Sequence, residues 1–244
     1  MNNPIRWIDP SGLKAVDSTT QDLVIRFLRE EYGYFGGGGR VLGDSTTVRS
    51  YVFYDPNDTT TAITSAKANR IATDLRSFFE KGHTVTVVPI ISLENFITEF
   101  NKLGSDGSTI DTVVLFFHGN TDRIAFSSAT QPREFDTRFI VSEHMDRITN
   151  ENQINRIIFL GCYTGSGDEN IAREFANMTN ITSVIASDGR PTIVQRPINR
   201  SIRLRHMPSD TDGRYRLFTG SSGSITIGSN FSTTGRLIRE ANKL

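Results

Sequence analysis

Short apolar runs alternate with amphipathic segments between residues 49 and 187, and this alternation restricts the fold more than any other feature. Five of the runs are rich in Val, Ile and Phe and have the length of buried strands. They occupy residues 51–54, 84–90, 113–117, 157–160 and 183–187. Three segments with apolar residues at helical spacing lie between them, at residues 65–80, 92–103 and about 167–178. This order predicts an α/β fold, with a mostly parallel central sheet of about six strands and helices on both faces.

The composition argues against several classes of protein. The 27 Lys and Arg residues balance 27 Asp and Glu, so the net charge is zero and indicates neither a nucleic-acid partner nor a polybasic membrane patch. No apolar run approaches the length of a membrane span, which predicts that no segment crosses a bilayer. The first residues also lack the apolar stretch of a signal peptide.

Two of the apolar runs end at residues with reactive side chains. The third run stops at His118, and the fourth stops at Gly161 and Cys162. Because neighbouring parallel strands release their carboxyl ends into one crevice, both side chains should face the same site. A cysteine attacks as its thiolate, which a nearby histidine stabilises. We therefore predict that His118 is the general base and Cys162 the nucleophile, with the backbone N–H groups of Gly119 and Cys162 as an oxyanion hole.

Cys162 is the only cysteine of the 244 residues, so it cannot form an internal disulfide and offers no metal-binding Cys/His spacing. The other histidines, His83, His144 and His206, share no ligand spacing, and we predict neither a metal nor a cofactor. A cysteine after an apolar strand is commonly a small core residue, so a structural role for Cys162 stands as the alternative.

Several polar segments are interpreted as structural. Asp55 and Asp58 lie in the turn after the first run, and no paired-carboxylate arrangement stands out there. The stretch 190–205 carries five arginines without interleaved aromatic residues, which predicts a solvated loop. Beyond Asp188 the helical pattern is lost, and short β-like pieces at residues 215–218 and 224–227 stand among Gly, Ser and Thr.

The two strand ends together resemble a known family. A hydrophobic strand followed by His-Gly, and a second followed by Gly-Cys-x-x-Gly, is similar to the caspases, gingipains, clostripains and related bacterial peptidases of clan CD. The resemblance covers about residues 49–190 and implies a three-layer α/β/α caspase-like sandwich. It also implies that His118 is the catalytic histidine and Cys162 the nucleophile, with Gly119 contributing to the oxyanion hole.

The resemblance suggests a specificity residue and has two departures. Asp188 follows the last clear strand, where the family builds the wall of its S1 pocket, and a carboxylate there would favour Arg or Lys at P1. The alternative is that Asp188 is a turn residue. Gly161 stands where the family often has Asp or Ala, and Phe117 stands where it often has His or Gly.

A second resemblance lies at the N-terminus. Residues 4–13 match the pattern P-x-x-x-x-D-P-x-G-L, which is similar to the end of the conserved core of RHS-repeat (YD-repeat) proteins. The resemblance implies that residues 1–13 are a core boundary motif, that the RHS core cuts after Leu13, and that the chain from Lys14 onward is a toxin or effector payload. It also implies an RHS shell and an immunity protein as partners, and delivery into the cytoplasm of a target cell.

The predicted organisation follows from these boundaries. Residues 14–48 would be an N-terminal extension with a helix at residues 19–32 and a flexible linker of four glycines, and residues 49–244 would be the caspase-like peptidase domain. The predicted function is that of a cysteine endopeptidase effector, secreted or delivered as an RHS payload. Two alternatives stay open: deamidation or acyl transfer by the same thiol, and an inactive caspase-like binding module.

Overall fold

The computed structural model describes residues 47–58, 62–79, 82–126, 139–195, 202–206, 212–220 and 223–244. The predicted boundary motif at residues 1–13 and the predicted helix at residues 19–32 lie outside the described residues, as does the glycine linker. In the part of the chain that the structure describes, no helix has the length and apolar character needed to cross a membrane.

Strands and helices alternate along the described ranges. The strands are β1 (Val48–Tyr54), β2 (Thr84–Pro89), β3 (Thr109–Phe116), β4 (His118–Asn120), β5 (Arg123–Ala125), β6 (Phe139–Ile140), β7 (Ile154–Phe159), β8 (Val184–Ser187), β9 (Pro191–Gln195), β10 (Ile202–His206), β11 (Tyr215–Phe218) and β12 (Ser224–Gly228). The α-helices are α1 (Ser65–Phe78), α2 (Leu93–Asn101), α3 (Ile171–Ala176) and α4 (Thr234–Ala241). A 3₁₀ helix spans Ser142–Arg147.

Seven strands form one sheet in the order β12-β11-β8-β7-β3-β1-β2. The five strands from β8 to β2 are parallel, whereas β11 and β12 add to the β8 edge in antiparallel pairing. The α/β fold with a mostly parallel sheet is therefore confirmed, with one strand more than the six expected. In the centre, Leu115 of β3 pairs with Phe159 of β7, so these two strands end side by side.

Helices cover both faces of this sheet. On one face, α2 and α3 pack on residues such as Leu115 and Phe159, and on the other, α1 and α4 pack on residues such as Val114 and Ile158. Successive residues of a strand point to opposite faces, so a strand buried on both sides is apolar throughout. This is the physical reason why the central strands read as unbroken runs of Val, Ile, Leu and Phe.

Side-chain caps set where the helices begin. Ser92 is the N-cap of α2, as its position suggests, and its Oγ accepts a hydrogen bond of 3.2 Å from the N–H of Asn95. The helix predicted at about 167–178 is much shorter. Asn170 caps α3 by accepting a hydrogen bond of 3.0 Å from the N–H of Arg173, and Gly167 before it has φ of +75°, which no helix contains.

After β3 the chain also forms a small three-stranded sheet, β4-β5-β6. Two expectations about irregular regions were wrong. The stretch 190–205, expected to be a solvated loop, contains an antiparallel strand pair, β9 and β10. A helix, α4, also lies beyond Asp188, where the pattern predicted none; it has two turns and contains Gly235. A Cβ at Gly235 would lie 2.6 Å from the Phe78 ring, so close packing on α1 requires the glycine that weakens the helical signal.

Candidate active site

His118 begins β4, separated from the end of β3 by one residue, and is held by a buried carboxylate. Its Nε2 lies 3.1 Å from Oδ1 of Asp58, and the Asp58 side chain is fully buried, whereas 35% of the His118 side chain is exposed. The second oxygen of Asp58, Oδ2, accepts a hydrogen bond of 2.7 Å from the N–H of Ile63. In the neutral ring, a proton on Nε2 facing the carboxylate leaves Nδ1 as the basic nitrogen.

Asp58 was missed at the sequence level, where both aspartates of its turn were interpreted as turn residues. That interpretation was incomplete for Asp58, which also contacts the predicted catalytic histidine from 60 positions away in the sequence. For Asp55 a turn role is seen, because its Oδ1 accepts a hydrogen bond of 2.8 Å from the N–H of Asn57. No local pattern distinguishes the two residues; only the pairing of β1 with β3 brings the turn after β1 beside the end of β3.

Cys162 lies in a tight turn after β7 and is half-buried. The next residue, Tyr163, has φ of +55°, a conformation that side chains other than glycine seldom adopt. Two hydrogen bonds to the end of β8 fix the turn: the N–H of Tyr163 donates to the carbonyl of Gly189 at 2.7 Å, and the N–H of Gly165 donates to that of Ser187 at 2.8 Å. Strained backbone that is held from several sides is common where a side chain must be presented to a substrate.

The backbone beside His118 touches the backbone beside Cys162. A Cβ placed on Gly119 would lie 3.2 Å from the carbonyl oxygen of Cys162 and 2.6 Å from Cγ2 of Thr164. A Cβ on Gly161 would likewise lie 3.1 Å from the carbonyl oxygen of Phe117. The two strand ends therefore meet in close contact that depends on both glycines. This contact also gives a physical reason for glycine at position 161, where the similar family often has a larger residue.

Asp188 lies next to this turn and is bonded to backbone. Its Oδ1 accepts a hydrogen bond from the N–H of Arg214, and its own N–H donates to the carbonyl of Arg214 at 2.9 Å. The adjacent Gly189 is the residue that holds Tyr163. A structural role for Asp188 is therefore visible, and its role in an S1 pocket stays a prediction.

A second histidine ties β10 to the same region. Ser187 is fully buried, and its hydroxyl donates to Nε2 of His206 at 2.7 Å and accepts a hydrogen bond of 3.1 Å from the N–H of Gly189. Nδ1 of His206 donates to the carbonyl of Ser229 at 2.9 Å. This chain of hydrogen bonds fixes the end of β8, on which the Cys162 turn rests.

Tyr215 lies beneath the site in a buried position. Burial raises the pKa of the Tyr215 phenol above its ordinary value, and the nearby Cys162 raises it further, so the phenol stays neutral. Its ring packs against His206 and Phe231, with ring centroids 5.1 and 5.6 Å away. Its hydroxyl is buried and has no hydrogen-bond partner among the described residues.

Among the described residues, no group of three or more His, Cys, Asp or Glu side chains could hold a metal ion. The arrangement around His118 and Cys162 instead has the groups that acyl transfer requires: a thiol, an oriented imidazole and backbone N–H groups at a tight turn.

Comparison with known proteins gives distant structural likenesses only. No family model matches the sequence, and no curated protein matches it. A solved structure of a secreted C11 cysteine protease from Bacteroides thetaiotaomicron, bound to an irreversible peptide inhibitor, is 12% identical with a TM-score of 0.45. The similarity covers 60% of this chain and 50% of that protein. A second structure of a C11 protease from the same organism is 11% identical, covers 61% and 54% of the two chains, and has a TM-score of 0.41.

The chain thus spans about half the length of these two proteins.

Proposed function

We propose that this chain is a cysteine endopeptidase in which His118 is the general base and acid and Cys162 is the nucleophile. One observation carries the proposal: a fully buried carboxylate, Asp58, lies 3.1 Å from His118 at a strand end whose backbone contacts that of Cys162. A histidine held by a buried carboxylate is suited to take and return a proton, because the carboxylate orients the ring and stabilises its cationic form.

The reaction proceeds in two steps with balanced proton transfers. His118 takes the thiol proton of Cys162, and the thiolate attacks the carbonyl carbon of the scissile peptide bond. The oxyanion is stabilised by the N–H groups of Gly119 and Cys162. The C–N bond then breaks, and the leaving amine receives the proton from His118. A water, deprotonated by the same imidazole, hydrolyses the thioester and regenerates the thiol.

The register of the small sheet supports the oxyanion role of Gly119. Asn120 and Arg123 pair across a two-residue turn, and Gly119 pairs with Ile124 at the next position. Antiparallel pairs alternate between hydrogen-bonded and non-bonded positions, so the Gly119 position is one whose N–H points away from β5. An N–H with that direction is able to serve a substrate oxygen.

The biological setting is proposed from the N-terminal motif. In this proposal residues 1–13 are the boundary of an RHS shell that cuts after Leu13, and the released payload cleaves a protein substrate in the cytoplasm of a target cell. Asp188 would line S1 and favour Arg or Lys at P1. An immunity protein would protect the producing cell.

A cleavage assay tests the enzymatic proposal. Purified protein is incubated with a peptide library, and products are read by mass spectrometry for the wild type, Cys162→Ala and His118→Ala. We expect chain cleavage by the wild type and loss of cleavage in both variants with unchanged circular dichroism. Release of ammonia from Gln or Asn without cleavage would identify a deamidase instead, and no turnover of any kind would favour the binding-module alternative.

A further inference from the structure

A pocket whose lining includes no residue of the candidate active site contains three arginines. It has a volume of about 250 Å³ and lies between β10, the segment before α4 and the first turn of α4. The lining residues are Arg203, Arg205, Asn230, Phe231, Ser232 and Arg236. Two of them, Arg203 and Arg205, belong to the basic stretch 190–205, for which the sequence predicted a solvated loop.

Backbone pairing explains why these side chains converge. Leu204 and Phe231 exchange two hydrogen bonds of 2.9 Å, and both side chains are buried in the core. Because neighbours in a strand point to opposite faces, Arg203 and Arg205 must both point outward from this pair. Arg236 reaches the pocket from the first turn of α4, whose N-cap, Thr233, accepts a hydrogen bond of 3.0 Å from the Arg236 N–H.

The three charges lack ion-pair partners in the described part of the chain. No carboxylate lines the pocket, and none of the three arginines has an ion pair with a described residue. Some arginines elsewhere do have carboxylate partners, such as Arg147 with Glu94 at 2.7 Å and Arg49 with Asp106 at 2.6 Å. Three guanidinium groups around one concave space repel one another, and an anion between them removes this repulsion.

We propose that this pocket binds an anion that carries two or more phosphate groups. Guanidinium groups bind phosphate oxygens through paired, charge-assisted hydrogen bonds, and three of them match a ligand with several charged oxygens better than a single carboxylate. At the N-terminus of α4, the carboxylate of Asp74 already accepts hydrogen bonds from the N–H groups of Thr234 and Gly235, so the attraction for an anion comes from the arginines. Asn230 and Ser232 add neutral polar groups. The volume lies just below the usual range for ligand pockets, which suits a compact ligand.

Binding of sodium tripolyphosphate to the full chain, measured by titration calorimetry and thermal unfolding, tests this inference. The wild type should bind the probe and unfold at a higher temperature in its presence. Arg205→Gln and Arg236→Gln should each raise Kd by roughly tenfold or more, because each removes a guanidinium group that donates paired, charge-assisted hydrogen bonds. Arg205→Lys should raise Kd less, since lysine keeps the positive charge and loses only the paired hydrogen bonds. The affinity of the wild type for tripolyphosphate should fall as the salt concentration is raised.

The matched control is Arg239→Gln, which removes the same charge from the same helix at a residue outside the pocket, where it lies 5.8 Å from the Phe78 ring centroid. Its Kd should stay within twofold of the wild type, even if the unbound protein unfolds earlier. Citrate, which carries its charges on carboxylates, should bind at least tenfold more weakly.

Three results would overturn the inference. The first is that the wild type does not bind the probe at millimolar concentration, and the second is that the pocket variants bind it as well as the control variant does. The third is that citrate binds as well as tripolyphosphate, a result that would point to an acidic peptide as the ligand. A peptide with two adjacent phosphoserines that competes with the probe would support it and identify a phosphoprotein as the source. The proposed peptidase activity stands or falls independently of all of these results.

Discussion

Replacement of Asp58 by asparagine is the most informative perturbation of the candidate site. The change keeps the shape of the side chain, and the amide oxygen can still accept the hydrogen bond from Ile63. It removes the negative charge 3.1 Å from Nε2 of His118 and offers the ring an N–H group in its place. The imidazolium formed during the reaction loses its partner, and the ring is driven toward the wrong tautomer.

The size of the effect follows from the geometry. A charge pair at 3.1 Å in an effective dielectric constant of about 20 interacts by about 5 kcal/mol. His118 is 35% exposed, so water screens part of this, and a working loss of about 3–4 kcal/mol remains. That corresponds to a decrease in kcat of roughly 100- to 1,000-fold. KM should change little, because the carboxylate acts on the proton transfer and does not touch the substrate.

The assay is steady-state cleavage of a fluorogenic peptide, with Asp55→Asn as the control from the same turn. Asp55 is also buried and accepts a hydrogen bond from the backbone N–H of Asn57, so its replacement tests damage to the turn while Asp58 stays in place. Asp55→Asn should retain activity within about threefold. If Asp58→Asn kept near-wild-type kcat, or if both variants lost activity equally, the role given to Asp58 would be refuted.

Three further outcomes are expected. Gly119→Ala should lower kcat/KM by about 100-fold or more and destabilise the fold by about 1–3 kcal/mol, because its Cβ would lie 2.6 Å from Cγ2 of Thr164; activity and urea unfolding check this, and full activity would contradict it. Burial lowers the pKa of His83 below its ordinary value of 6.5, so the unfolded chain takes up a proton before the folded chain does, and stability is lost as pH falls below about 6.5. In His83→Gln, urea midpoints measured from pH 7.5 to 5.5 should fall less with pH than in the wild type. An unchanged pH profile would contradict this. Asp188→Asn should lower kcat/KM for substrates with Arg or Lys at P1 far more than for neutral ones, and a peptide-library preference for Leu or Asp at P1 would reject the S1 assignment.

The sequence was sufficient to predict a mostly parallel sheet, and the structure brings the backbones beside His118 and Cys162 together. The catalytic roles of these two residues stay predictions. The runs that became β3 and β7 are buried on both faces, so their composition alone marks them as strands. His118 is the second residue after β3 and Cys162 the third after β7, and parallel pairing brings their backbones to the same edge of the sheet. The sequence pattern predicts the position of these two residues in the fold because each lies only a few residues from the end of its strand.

The remaining features depend on contacts between distant segments. Asp58 acquires its partner only when the turn after β1 meets the end of β3, and nothing in its neighbourhood distinguishes it from Asp55. Helix α4 is short and contains Gly235, whose presence is explained by the Phe78 ring on another helix. The local sequence predicts solvated side chains for the arginines of β10. They come close to Arg236 only because Leu204 pairs with Phe231, a contact between distant segments.

The central claim is most directly tested by a set of peptidyl acyloxymethyl ketones with Arg, Leu or Asp at P1, followed by intact-mass and peptide-mapping mass spectrometry. A catalytic thiolate displaces the carboxylate leaving group, so the wild type should gain one adduct, located on Cys162. His118→Ala should react far more slowly, and Cys162→Ala should gain no adduct. An unmodified wild-type protein whose Cys162 still reacts with iodoacetamide in the folded state would contradict the account, because it would show an accessible thiol without an activated one.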